Sequence, residues 1–167
     1  MDTLILFLIF LQALGAFIGV VMAIWGEFAY IRAMRDKNID FAERAHINYI
    51  ARGLRFGMTI LLLSSFALVV VAFMSHSAPQ PAMTSSYWIF NAIALLAIWV
   101  SFALSKQNIS FALGSATILS AWWILFYLTL GFLPANSFGS AVALFVVLTA
   151  VIYAALHYLR MLILHKR

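Results

Sequence analysis

The chain has 167 residues, of which 66% are hydrophobic and 9% charged, with ten Lys and Arg against five Asp and Glu. Soluble domains carry about 25% charged residues, and a small water-soluble fold always leaves part of its surface exposed. This composition therefore excludes an ordinary soluble domain and makes lipid the expected solvent, while the absence of cysteine excludes disulfides, thiolate metal sites and CxxC redox chemistry.

Crossing a hydrocarbon core takes about 20 mostly apolar residues in a helix. The first such run is Thr3–Ile31, uncharged until Glu27. It lacks a basic leading segment and is too long for the apolar region of a signal peptide, so it reads as a retained helix. Gly15, Gly19 and Ala23 are spaced by four and share one face, the small-residue pattern that lets helix backbones approach closely. Such a face serves packing within one chain or contact between copies. The repeats Ala112, Ala116, Ser120 and Ala150, Ala154 have the same spacing.

Between the first and second runs lies the one sizeable loop. Asp40 followed by Glu43 resembles a capping box, which predicts a helix from Phe41 towards the second span and an amphipathic cytoplasmic segment over about 40–53, resting on the membrane surface or docking a partner. Gly53 is placed to bend the junction. The second run, 54–74, ends where Pro79 and Pro81 cannot continue a helix. The third, 87–104, and the fourth, 109–130, are separated by the polar turn Ser105-Lys106-Gln107-Asn108. Gly131, Pro134 and Asn136 punctuate the chain before the fifth run, 138–160, which has an apolar extension, Met161–Leu164. The expected fold is an all-α bundle of five transmembrane helices forming one domain over 1–167.

Positive residues orient such bundles. All ten lie in the first loop, the third loop or the tail: Arg32, Arg35, Lys37, Arg44, Arg52, Arg55, Lys106, Arg160, Lys166 and Arg167. A five-helix layout puts every one on a single side, giving N-out/C-in in a cell membrane, or the inner membrane of a Gram-negative bacterium. The excess charge reads as attraction for anionic lipid headgroups rather than for nucleic acid. Tyr87 and Trp88, with Trp25 and Tyr30, fit interfacial aromatic belts.

Ionisable groups inside spans are costly and are the first places to look for function. Glu27 lies at the inner end of the first helix, at a depth similar to Tyr153, His157 and Arg160 on the fifth. Those three share a face, so Glu27 pairing with Arg160 or His157 is the leading candidate polar site. The competing readings are an interfacial salt bridge and a proton or cation relay. Gln12 and Asn91 are candidate intramembrane hydrogen-bond partners. Trp122 and Trp123 sit near mid-membrane as core packing or an aromatic pocket, with Ser64, Ser65, Ser120 and Thr149 at the same depth to receive an indole N–H. The histidines, His46, His76, His157 and His165, offer no facing mid-span pair for a buried haem, and a cluster of His46, His157 and Glu27 lacks ligand spacing. No metal site, catalytic residue or cofactor is expected. The residues lack the repeated Trp-Pro motifs of tryptophan-rich sensory proteins and the Gly-x-Ser-x-Gly of intramembrane serine proteases. The expected function is a non-catalytic membrane component, as subunit, assembly factor or scaffold, with membrane partner subunits or further copies of itself. The alternatives are an oligomeric transporter for a small solute, ion or proton, and a membrane redox protein binding haem or quinone.

Overall fold

The computed structural model describes residues 2–36, 41–75, 80–132 and 137–165. These form five helices, α1 (Asp2–Asp36), α2 (Phe41–Met74), α3 (Ser85–Ser105), α4 (Phe111–Thr129) and α5 (Phe138–His165), with one 3-10 turn, Pro81–Met83, before α3. All five are long and apolar enough to cross a membrane. The C-terminal ends of α1, α3 and α5 and the N-terminal end of α2 carry the basic residues, and α4 starts at the same end; we call this the basic end.

The helix boundaries follow local chemistry. Thr84 caps α3 by accepting the Tyr87 amide at 3.3 Å, and Ser110 caps α4 by accepting that of Leu113 at 3.4 Å, which satisfies amides that have no partner in the first turn. Both α3 and α4 end in a Schellman arrangement. After α3, Asn108 N–H donates to Ala103 O and Gln107 N–H to Leu104 O, both at 3.0 Å; after α4, Phe132 N–H donates to Tyr127 O and Gly131 N–H to Leu128 O, both at 3.1 Å. The motif needs a left-handed residue. At the second site it is Gly131, φ 72°, and at the first it is Gln107, φ 59°, a conformation that costs a side-chain-bearing residue roughly 1–2 kcal/mol.

The segment expected as an amphipathic lead-in over 40–53 is not a separate element. From Phe41 it is the first part of α2, which continues through Gly53 without interruption. It touches α1 at two points: Ile50 is buried, within 3.5 Å of where Gly26 would carry a Cβ, and the Trp25 indole N–H donates to His46 Nε2 at 2.6 Å. The cap expected at Asp40 lies outside the described residues.

Helices α1 and α2 pack antiparallel. A Cβ on Gly15 would stand 2.8 Å from both Gly57 O and Leu61 N, and one on Gly57 would stand 2.9 Å from Gly15 O. Two bare backbones therefore touch. One turn further along the same face of α1, the Trp122 ring of α4 occupies the space where Gly19 would carry a side chain. Helix α4 is the hub, packing against α1, α3 and α5. Its small residues Gly114, Ala116, Ser120 and Ala121 are buried together with Trp122. Helix α5 lays one stripe, Ala141, Phe145, Leu148, Ile152 and Leu156, on this core. Ala150 and Ala154 fall off that stripe and are exposed.

These contacts predict a graded glycine series in thermal unfolding of the purified protein. Gly15→Ala and Gly57→Ala place a methyl against backbone that has no rotamer to yield, at the roughly 1–3 kcal/mol cost of overpacking. Gly26→Ala, whose Cβ meets only Ile50 Cγ2 at 3.5 Å, is neutral or gains up to about 1 kcal/mol in helix propensity. Equal melting temperatures for all three variants would contradict the close approach. Gln107→Gly, by removing the left-handed penalty, raises stability by about 1 kcal/mol in the same assay.

Candidate functional site

Glu27 is on the buried face of α1 because of helical phase. Ala16, Val20, Ala23, Glu27 and Ile31 recur at intervals of three and four and are all buried, Glu27 to 6% exposure. A carboxylate in that stripe must find a partner, since an unpaired buried charge is strongly penalised.

The partner comes from the far end of the chain. Arg160 Nη2 of α5 donates to Glu27 Oε2 at 2.6 Å and to Ser115 Oγ of α4 at 2.9 Å. The guanidinium also lies 5.3 Å from the Tyr30 ring centroid and 5.7 Å from that of Phe111. Those two rings stack at 3.6 Å with 17° between their planes. One cation of α5 is thus held by a carboxylate, a hydroxyl and two ring faces contributed by α1 and α4. Arginine suits this place because its planar, weakly hydrated group stacks on rings while its N–H groups bond in the plane. Arg32, Arg52, Arg55 and Lys106 are exposed, so among the described residues Arg160 is the basic side chain drawn inside. Glu27 Oε1 and Arg160 Nε are buried and have no hydrogen-bond partner.

The other expected site residues are placed differently. Tyr153 and His157 stack on one another, centroids 6.2 Å apart and nearly coplanar in tilt at 8°, and both are exposed on α5. They share the arc of Arg160, but only the long arginine side chain reaches round to α1. Asn91 donates to Tyr87 O of its own helix at 2.8 Å and so does not tie helices together. Gln12 borders a cavity of about 390 Å³ at the end opposite the basic one, with Ser65, Thr84 and Tyr87. Trp122 and Trp123 do not form one aromatic pocket. Trp122 is buried against Gly19, whereas Trp123 joins Phe126 and Tyr127 in a separate ring cluster, 6.3 and 5.9 Å away. Ser64 and Ser120 donate to carbonyls of their own helices. The described residues include no group of three potential metal ligands, and Glu27, His46 and His157 are held by separate partners. His76 and the side chain of His165 lie outside the described residues.

Ser115, Tyr30 and Phe111 belong to the site although no expectation put them there. Tyr30 reads as a belt residue, and Ser115 and Phe111 carry no signal without the rotation of α4. Gly57 does carry one, since Gly53 and Gly57 repeat the spacing of Gly15 and Gly19.

The ion pair predicts an asymmetric response to substitution. Removing one partner of a buried pair costs about 3–5 kcal/mol, whereas replacing both by apolar groups of similar size is often neutral. Arg160→Met therefore lowers the melting temperature strongly and Glu27→Met/Arg160→Met recovers most of the loss. A double variant no better than Arg160→Met alone would show that the pair is not coupled.

The geometry of this site is all that bears on its role, because no family model, curated protein or solved structure matches the chain.

Proposed function

We propose that the five helices cross a cell membrane N-out/C-in and that the chain is a non-catalytic membrane component, a subunit, assembly factor or scaffold whose basic end attracts anionic lipid. The orientation rests on the placing of every Lys and Arg in the stretch from Arg32 to Arg55, at Lys106 or from Arg160 onward, a one-sided distribution of the kind that sets topology in helical membrane proteins. The functional reading rests on one observation: among the described residues, the most buried charges are bonded to each other across α1, α4 and α5. Intramembrane charges that serve transport line a pathway; these are used to hold helices together.

The topology is read by reporter fusions. One at Pro79 reports the external side and one at Arg167 the cytoplasm; the reverse pattern overturns the orientation. The functional reading is tested by purification from native membranes and by reconstitution. Partner subunits co-purify in fixed ratio, and liposomes containing the protein pass protons and monovalent cations no faster than empty ones. A flux that Glu27→Gln abolishes would establish transport instead.

A further inference from the structure

Helices α2 and α3 scarcely pack against each other. Between them runs a groove of about 610 Å³, with the buried Trp122 of α4 as its floor. It is lined on α2 from Ala51 to Leu62 and on α3 from Ser105 back to Ala97. At 1.5 Å per residue the α2 side rises about 16 Å, roughly half of a hydrocarbon core of about 30 Å. The groove is therefore one leaflet deep. It opens sideways along the exposed Ile98 and Phe102. At the basic end its lining includes Arg55, which is exposed and whose guanidinium has no hydrogen bond or ion pair among the described residues. Lys106 stands at the same end, its ammonium 5.7 Å from the ring centroid of Phe102. The lining hydroxyls, Thr59, Ser101 and Ser105, each donate to a carbonyl of their own helix at 2.7–2.9 Å. The rest of the lining is aliphatic or aromatic.

We propose that this groove holds one anionic phospholipid from the leaflet at the basic end, with its phosphate on Arg55 and Lys106 and one acyl chain laid between α2 and α3 over Trp122. Size admits the chain: a cavity of about 150 Å³ takes up one benzene ring, so the groove has room for roughly four times as many carbons. Depth and charge select a lipid over a helix. A spanning helix, whether of a partner or of a second copy, needs a seam through the whole core, and this one stops at Leu62 and Ala97. An apolar helix would also leave Arg55 facing it without a counterion, whereas a lipid brings a phosphate at the depth of the mouth and a tail for the wall below. The site rests on the reading that the basic end attracts anionic lipid, and it names the side chains and the seat that make the attraction specific.

The test is native mass spectrometry of the purified full chain, released from micelles that contain phosphatidylglycerol and phosphatidylcholine with identical chains in equal amounts. The expected result is one retained phosphatidylglycerol, preferred more than tenfold, with Arg55→Gln and Lys106→Gln each lowering the preference about fivefold, the weight of one basic residue near a lipid surface. Arg32→Gln/Arg52→Gln removes the same charge from the same end, at exposed positions that do not line the groove, and keeps the preference. Ser101→Trp, which fills the groove from an exposed lining position, loses the lipid while the protein still unfolds cooperatively. Glycerol 3-phosphate, the head without the tail, does not displace it. Equal losses in Arg55→Gln/Lys106→Gln and Arg32→Gln/Arg52→Gln overturn the site and leave general attraction standing. No preference in the unaltered protein overturns both. The site also falls if folded Ser101→Trp keeps the lipid, if glycerol 3-phosphate displaces it, or if the chain is released as a lipid-free dimer. The lipid preference of the unaltered protein stands even if Ser101→Trp fails to fold.

Discussion

The bundle is organised around a helix that has been stripped of side chains along one face. At Gly15 the backbone of α1 meets the backbone at Gly57; one turn further along the same face, Gly19 leaves a seat that the Trp122 ring fills. Among apolar helices in lipid there is no hydrophobic force to drive one helix onto another, so association depends on close van der Waals contact and a few polar bonds. Both conditions meet on α1. Its seat for Trp122 fixes the rotation of α4, and α4 in turn supplies the surface on which α3 and α5 rest.

That rotation decides the electrostatics. With Trp122 turned to α1, Ser115 lies two helical turns nearer the basic end on the same side of α4, and Phe111 one further turn along. This is the surface that receives Arg160. The ion pair is therefore a consequence of the glycine contacts as much as of charge: without the close seat, Ser115 and Phe111 would not meet the guanidinium. Each ion of a buried pair loses hydration worth several kcal/mol, and the site offsets it with a hydroxyl and two ring faces as well as the carboxylate.

Much of the architecture is legible before any coordinates. Five apolar runs and their polar breaks follow from hydropathy, because length and composition decide them locally. The pairing of Glu27 with Arg160 is legible too, since depth within a span is read directly from residue counting. Helix rotation is what counting does not supply. Tyr153 and His157 lie on the same arc as Arg160 and yet turn outward, while Ser115 and Phe111 turn inward, and the difference is settled by where Trp122 docks. The lead-in over 40–53 reads as a surface helix only as long as its apolar residues have no partner; Ile50 has one, in α1 opposite Gly26.

The clasp also has a history written into its numbering. Its acid and its base are separated by 133 residues, and translation proceeds at about 5–20 residues per second, so Glu27 exists for on the order of ten seconds before Arg160 is made. During that interval the carboxylate of α1 lacks the guanidinium that pairs with it in the finished fold. The face of α1 that carries Glu27 waits for the last helix to close it. Completion of α5 is then the moment at which an early liability becomes a fastener.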